Sequence, residues 1–172
     1  MSEPERPYRV TVVCHGNICR SPMAEFLLRE AFDEAGLADR VEVDSAGTSA
    51  EELGNPVHPR TVAVLRRHDH PDVGWGAHRA RQFRTDGFDA ADLVLAADHP
   101  HADRLARLAR DEDDAAKVRL VRSFDPDAVA AGELGMDDPW YGGDAEYEQT
   151  YDEIRAAVPG IVEHVRAALD RP

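Results

Sequence analysis

Two cysteines stand five positions apart in the stretch VVCHGNICRSPMAEF, and Arg20-Ser21-Pro22 follows directly on the second. Cys14 and Cys19 are the only cysteines of the chain. They admit three readings: a structural staple, half of a metal site, or a nucleophile with a guard. Two thiols cannot complete a four-ligand structural zinc site, and no paired histidines stand nearby to help. The spacing allows a different chemistry. If a strand delivers Cys14 and a helix begins near Ser21, the main-chain amides between them can curl around a common centre. Gly16 and Asn17 are residue types that tolerate the positive φ such a nest of N–H groups requires. A helix N-terminus adds positive potential, and Arg20 supplies a planar fork for two oxygens of a phosphate. The same field acts on the thiol. An ordinary cysteine, with a pKa of about 8.5, is only a few per cent thiolate at neutral pH; a helix N-terminus and a nearby cation raise that fraction. A poised sulfur facing a bound phosphate implies phosphoryl transfer to sulfur.

The elements that must position this loop are legible in the flanking sequence. Tyr8–Val13 is β-branched and apolar, a buried strand. Ser21 reads as the cap of a helix with Pro22 at its first position; Met23, Phe26, Leu27 and Ala31 share one face, and Gly36 ends it. Val41–Ala46 reads as a second strand, and a helix carrying Val62, Val64 and Leu65 follows Asn55-Pro56. Ala91–Ala97 is a third strand, His99–Ala109 an amphipathic helix and Lys117–Val121 a short fourth strand. From Ala145 onward the chain is helical, with Tyr147, Tyr151, Ile154 and Val158 in register and Pro159 a kink or break. Strands apolar on both faces, alternating with helices, specify an α/β fold with a parallel sheet covered on two sides. Four strands with short loops give a flavodoxin-like order, 2-1-3-4. Ligands then sit at the carboxyl ends of the strands, where the Cys14–Arg20 loop lies.

The totals bound the rest. A length of 172 residues suits one domain spanning the chain, with Met1–Pro7 a loose lead-in, and 42% hydrophobic content supplies a core. No charged start followed by a long apolar run is visible, so neither a signal peptide nor a membrane span is expected, and the default is cytoplasm, where thiols stay reduced. A formal net charge of −14 argues against nucleic acid or anionic membrane as partner. A bound anion must therefore be held by local donors against an unfavourable global field.

At this point the sequence resembles the low-molecular-weight protein tyrosine phosphatases. CHGNICRSP is similar to their phosphate-binding loop, and the likeness continues through DSAGT (Asp44 to Thr48), GNPVHPR (Gly54 to Arg60), HRARQF (His78 to Phe83), RSFDP (Arg122 to Pro126) and DDPWYGG (Asp137 to Gly143). The resemblance implies a phosphotyrosine phosphatase without metal or cofactor, inhibited by inorganic phosphate or vanadate. It implies Cys14 as nucleophile, Arg20 as phosphate clamp and Asp138 as general acid and then base, its carboxyl held protonated behind Pro139 and the aromatics. Residues His15, Gly16, Asn17, Ile18, Cys19 and Ser21 complete the loop, with Ser21 donating to the Cys14 sulfur. Asn17, Ser45 and His78 match a network that holds the loop, and Trp140 and Tyr141 flank the substrate ring. Cys19 would trap Cys14 as a reversible disulfide on oxidation.

The match strains at two places. His15 stands where relatives carry Leu or Thr, and Ser49-Ala50-Glu51-Glu52 lacks the aromatic that commonly walls the pocket. Trp75 could compensate, though packing suits it better. Three alternatives follow. Thioredoxin-coupled arsenate reductases share the loop but need further cysteines, and none follows Cys19. Phosphoarginine phosphatases carry Thr where this loop has Ile18. A non-catalytic phosphate-binding module would need neither Cys14 nor Asp138.

Overall fold

The computed structural model describes residues 5–172. Eleven elements matter for the site: β1 (Tyr8–Cys14), α1 (Arg20–Glu34), β2 (Val41–Gly47), α2 (Pro59–Arg67), α3 (Gly87–Ala90), β3 (Leu93–Ala96), α4 (His99–Leu108), α5 (Glu112–Ala116), β4 (Val118–Leu120), α6 (Pro126–Ala131) and α7 (Asp144–Leu169). The four strands pair in parallel in the order β2-β1-β3-β4, as the alternation of apolar strands and helices predicts. Strand β1 is central because its run of Val10, Val12 and Val13 can be buried on both faces. Val10, Val12 and Cys14 point to one side, into a core shared with α1, α2 and α7. Val13 points to the other, with Val94, Ala96, Leu105, Phe83 and Phe88. The period-two alternation thus delivers Cys14 to the face on which α1 packs.

Three boundaries differ from the sequence reading. Helix α1 starts two residues early, so Cys19 is its N-cap and Pro22 its third residue. No side chain caps it: the Ser21 hydroxyl is drawn instead to Cys14 and Asn17, a correction to its reading as a cap. Gly36 does end the helix, with φ of 74°. Helix α2 begins later than Asn55-Pro56 suggests, at Pro59, because His58 takes the cap and accepts from the Arg60 N–H. Helix α7 runs unbroken through Pro159. An interior proline costs about 3 kcal/mol, but Ile161 and Val165 beyond it are buried, and each such side chain contributes about 1.5–3 kcal/mol. Gly160 lets the helix press onto the chain at Phe124: a Cβ there would stand 2.2 Å from the Phe124 carbonyl oxygen.

Residues 1–4 of the expected lead-in lie outside the described residues. Arg6 forks onto the Asp92 carboxylate at 2.8 and 2.9 Å. Among the described residues no helix is long and apolar enough to cross a membrane.

Candidate active site

The loop between β1 and α1 is shaped by its hydrogen bonds. The carbonyls of Cys14, His15, Ile18 and Cys19 are turned away from its centre and accept from the N–H groups of Thr48, Ser49, His58 and Met23. By contrast, among the described residues the N–H groups of residues 15–19 donate to no protein acceptor. With those carbonyls engaged elsewhere, these donors are free for an acceptor bound in the cavity beside Cys14. Asn17 makes the turn possible with φ of 62°, in the left-handed region that asparagine tolerates. Gly47 lets the end of β2 approach: a Cβ there would sit 2.6 Å from the His15 carbonyl oxygen.

Asn17 is also the hub behind the loop, and it is fully buried. Its two amide hydrogens go to Ser21 Oγ at 2.8 Å and Ser45 Oγ at 2.9 Å. Its Oδ1 accepts from the Arg81 N–H at 3.0 Å, and its carbonyl accepts from His78 Nε2 at 2.8 Å. Ser45 in turn donates to Glu25 at 2.6 Å. Burial pushes the Glu25 carboxyl up, while Ser45 and Arg29 pull it down. The chain of bonds has one direction. Asn17 gives both hydrogens away, so Ser21 accepts from it and keeps its own hydrogen for a second partner, with Cys14 Sγ 3.0 Å away and the Ala46 carbonyl 3.4 Å away.

Arg20 is almost wholly buried, at 4% exposure. Its Nη1 donates to the Met136 carbonyl at 2.8 Å, and its Nη2 lies 3.4 Å from Asp138 Oδ2 and 3.4 Å from His101 Nε2. Asp98 Oδ2 stands 4.0 Å from Nη1. Nε is buried without a partner. An orphaned guanidinium N–H at the wall of a cavity is a donor awaiting an acceptor. Asp138 itself caps a single 3-10 turn, Pro139–Tyr141, by accepting from the Trp140 N–H at 3.1 Å.

The cavity these groups enclose holds about 150 Å³ and is lined by Cys14, His15, Gly16, Ile18, Cys19, Arg20, Glu51, Glu52, Asp138, Trp140 and Tyr141. Asn17, Ser21, Ser45 and His78 lie behind the loop, joined by the bonds above. The structure thus brings together the residues named from sequence. Trp75 is buried against Phe26 as a packing residue, away from the cavity wall. Cys19 is buried, its thiol pushed up to about 12 by burial, with Tyr147 Oη 3.2 Å from its sulfur. Both thiols are free. Trp140 is half exposed and meets His58 edge to face at 5.4 Å, whereas Tyr141 stands in solvent.

Several members of the site escape sequence reasoning. Glu25 reads as an ordinary helix glutamate, yet it is buried and anchors the chain of hydroxyls. His101 reads as one more residue of an amphipathic helix; its capping box with Asp98 was the available signal. The Met136 carbonyl carries no sequence signal. Among the described residues no group of three or more His, Cys, Asp and Glu side chains converges to hold a metal ion.

This constellation can bind a tetrahedral oxyanion over a sulfur, with a carboxyl group beside it. Comparison with known proteins agrees. Residues 9–171 match the family model described as low molecular weight phosphotyrosine protein phosphatase. A low molecular weight protein-tyrosine-phosphatase of Streptomyces coelicolor is 49% identical over 164 residues, covering 95% of this chain and 96% of that one. A low molecular weight protein-tyrosine phosphatase A of Mycobacterium tuberculosis is 41% identical, with 96% of each chain covered. The crystal structure of YfkJ from Bacillus subtilis superposes with a TM-score of 0.85 at 26% identity, covering 96% of this chain and 99% of that one. With the loop, the sheet and nearly the whole length in agreement, the chain belongs to the low molecular weight phosphotyrosine protein phosphatase family.

Proposed function

We propose that this protein, as one catalytic domain over residues 1–172, hydrolyses phosphotyrosine in proteins through a phosphocysteine intermediate. The observation that carries the reading is the set of partnerless donors around one sulfur: the N–H groups of residues 15–19 and Arg20 Nε. Three non-bridging phosphate oxygens would take these donors, with Arg20 giving two parallel bonds through Nε and Nη2. Cys14 Sγ attacks phosphorus in line with the tyrosine oxygen. The S–P bond forms as the P–O bond to the ring breaks, and Asp138 gives its proton to the departing oxygen. Water then attacks phosphorus and yields its proton to the Asp138 carboxylate. A P–O bond forms, the S–P bond breaks, and Ser21 donates to the leaving sulfur. Inorganic phosphate is the product, so it and vanadate would compete for the same donors. A nucleophile that works as a thiolate is suited to the reducing cytoplasm.

Hydrolysis of p-nitrophenyl phosphate tests the mechanism. Cys14→Ser is expected to abolish turnover, and Asp138→Ala to lower kcat by about 10²–10⁴. Wild-type-like turnover by Cys14→Ser would refute the phosphocysteine route. A panel of phosphotyrosine, phosphoserine and phosphoarginine peptides tests the substrate; preference for phosphoarginine would displace phosphotyrosine while leaving the mechanism standing.

A further inference from the structure

The cavity has opposite polarity at its two ends. Its base holds the buried Arg20, whose Nε has no protein partner. Its mouth is aromatic on one side, at Trp140 and Tyr141, and carboxylate on the other, at Glu51 and Glu52. Both carboxylates are held in place. Glu51 is anchored by His15 Nε2 at 3.1 Å. Glu52 accepts from Asn55 Nδ2 at 2.6 Å, and its stem covers Gly16, where a Cβ would meet Glu52 Cγ at 3.1 Å. The Glu51 side chain is nevertheless 72% exposed, so a peptide crossing the mouth meets its charge. Arg60, beside the aromatic wall, is already engaged by Asp144 at 3.5 Å and by the Gly142 carbonyl at 3.4 Å. Beyond the mouth, the net charge of −14 adds to the same sign.

We propose that Glu51 and Glu52 are specificity-determining residues that select phosphotyrosine flanked by lysine or arginine over phosphotyrosine flanked by acidic residues. The proposal rests on the phosphotyrosine phosphatase reading. Once the phosphate reaches Arg20, the peptide backbone lies across the mouth, and residues on either side of the phosphotyrosine pass the two carboxylates. Acidic neighbours add like charge to a site that must already admit a dianion; basic neighbours offset it. The selection therefore acts on capture of substrate, on KM more than on kcat. An exposed charge contact is worth a factor of about two to five, so the two carboxylates together favour the basic peptide by about tenfold in kcat/KM.

The test uses two phosphotyrosine peptides that differ only in the residues on each side, Lys in one and Glu in the other. Phosphate release is followed at about 0.05 M and about 0.5 M salt, where the Debye length falls below about 8 Å. Wild type is expected to favour the Lys peptide by about tenfold at low salt, with the ratio shrinking at high salt. The double variant Glu51→Gln and Glu52→Gln keeps the shape of the rim and should bring the ratio close to one. The ratio is unaffected by any change in basal rate common to both peptides. Equal rates on both peptides, preference for the Glu peptide, or full selectivity in the double variant would each overturn the proposal. Failure to hydrolyse either peptide, while p-nitrophenyl phosphate is turned over, would instead remove the phosphotyrosine reading beneath it.

Discussion

Acidification should weaken the fold through His101, and the effect can be sized. The ring is 5% exposed, and its Nδ1 accepts from the Asp98 N–H at 3.1 Å. The neutral ring therefore carries its hydrogen on Nε2, and the 3.4 Å approach of Arg20 Nη2 is a packing contact between two N–H groups. Protonation would place a hydrogen against the Asp98 N–H and a second cation beside Arg20. Burial first, and Arg20 second, push the His101 pKa down to about 4, with Asp98 and Asp138 pulling weakly the other way. An unfolded histidine titrates near 6.5. Between these two values the unfolded chain holds a proton that the folded chain does not, so unfolding is favoured progressively as pH falls from about 6.5 to about 4. The full gap corresponds to about 3 kcal/mol, most of it realised between pH 7.5 and 4.5. Urea unfolding of wild type and His101→Asn at those two pH values measures it. Asparagine does not titrate and keeps an acceptor for the Asp98 N–H. Wild type is expected to lose about 2–3 kcal/mol more than the variant on acidification. Parallel losses in the two proteins would refute the reasoning, because every other titrating group is common to both.

Asn17→Ala should cost about 2–4 kcal/mol in urea unfolding, combining a left-handed residue without a supporting side chain and an unsatisfied Arg81 N–H. It should also lower kcat more than it raises KM, since Ser21 loses the partner that holds its hydroxyl beside Cys14; unchanged kinetics would deny Asn17 that role. Gly160→Ala forces a Cβ to 2.2 Å from the Phe124 carbonyl oxygen, and thermal melting should report a loss of about 1–3 kcal/mol. Iodoacetamide at neutral pH should label Cys14 and spare Cys19 in the native protein, because burial pushes the Cys19 thiol up to about 12; mass spectrometry showing equal labelling would contradict that environment.

Parallel pairing with β1 at the centre was legible because Val10–Val13 and Leu93–Ala97 are apolar on both faces, a pattern that requires cover from two layers. The loop chemistry was legible for a related reason. Cys14, Asn17, Arg20 and Ser21 are close in sequence, so one strand and one helix suffice to arrange them. Pro159 and Ser21 misled local rules. The proline sits in a helix that buries side chains on both of its sides, and the serine serves a sulfur rather than a helix end.

What sequence alone determined is therefore the order of elements and the identity of the oxyanion loop, both consequences of short-range patterning. Tertiary structure decided which distant groups complete it: Glu25 behind Ser45, and His101 and the Met136 carbonyl around Arg20. The reason is physical. Whether a glutamate is a buried anchor or a solvated rim, and whether a histidine stays neutral, depends on what packs against it from elsewhere in the chain, and no local spacing records that.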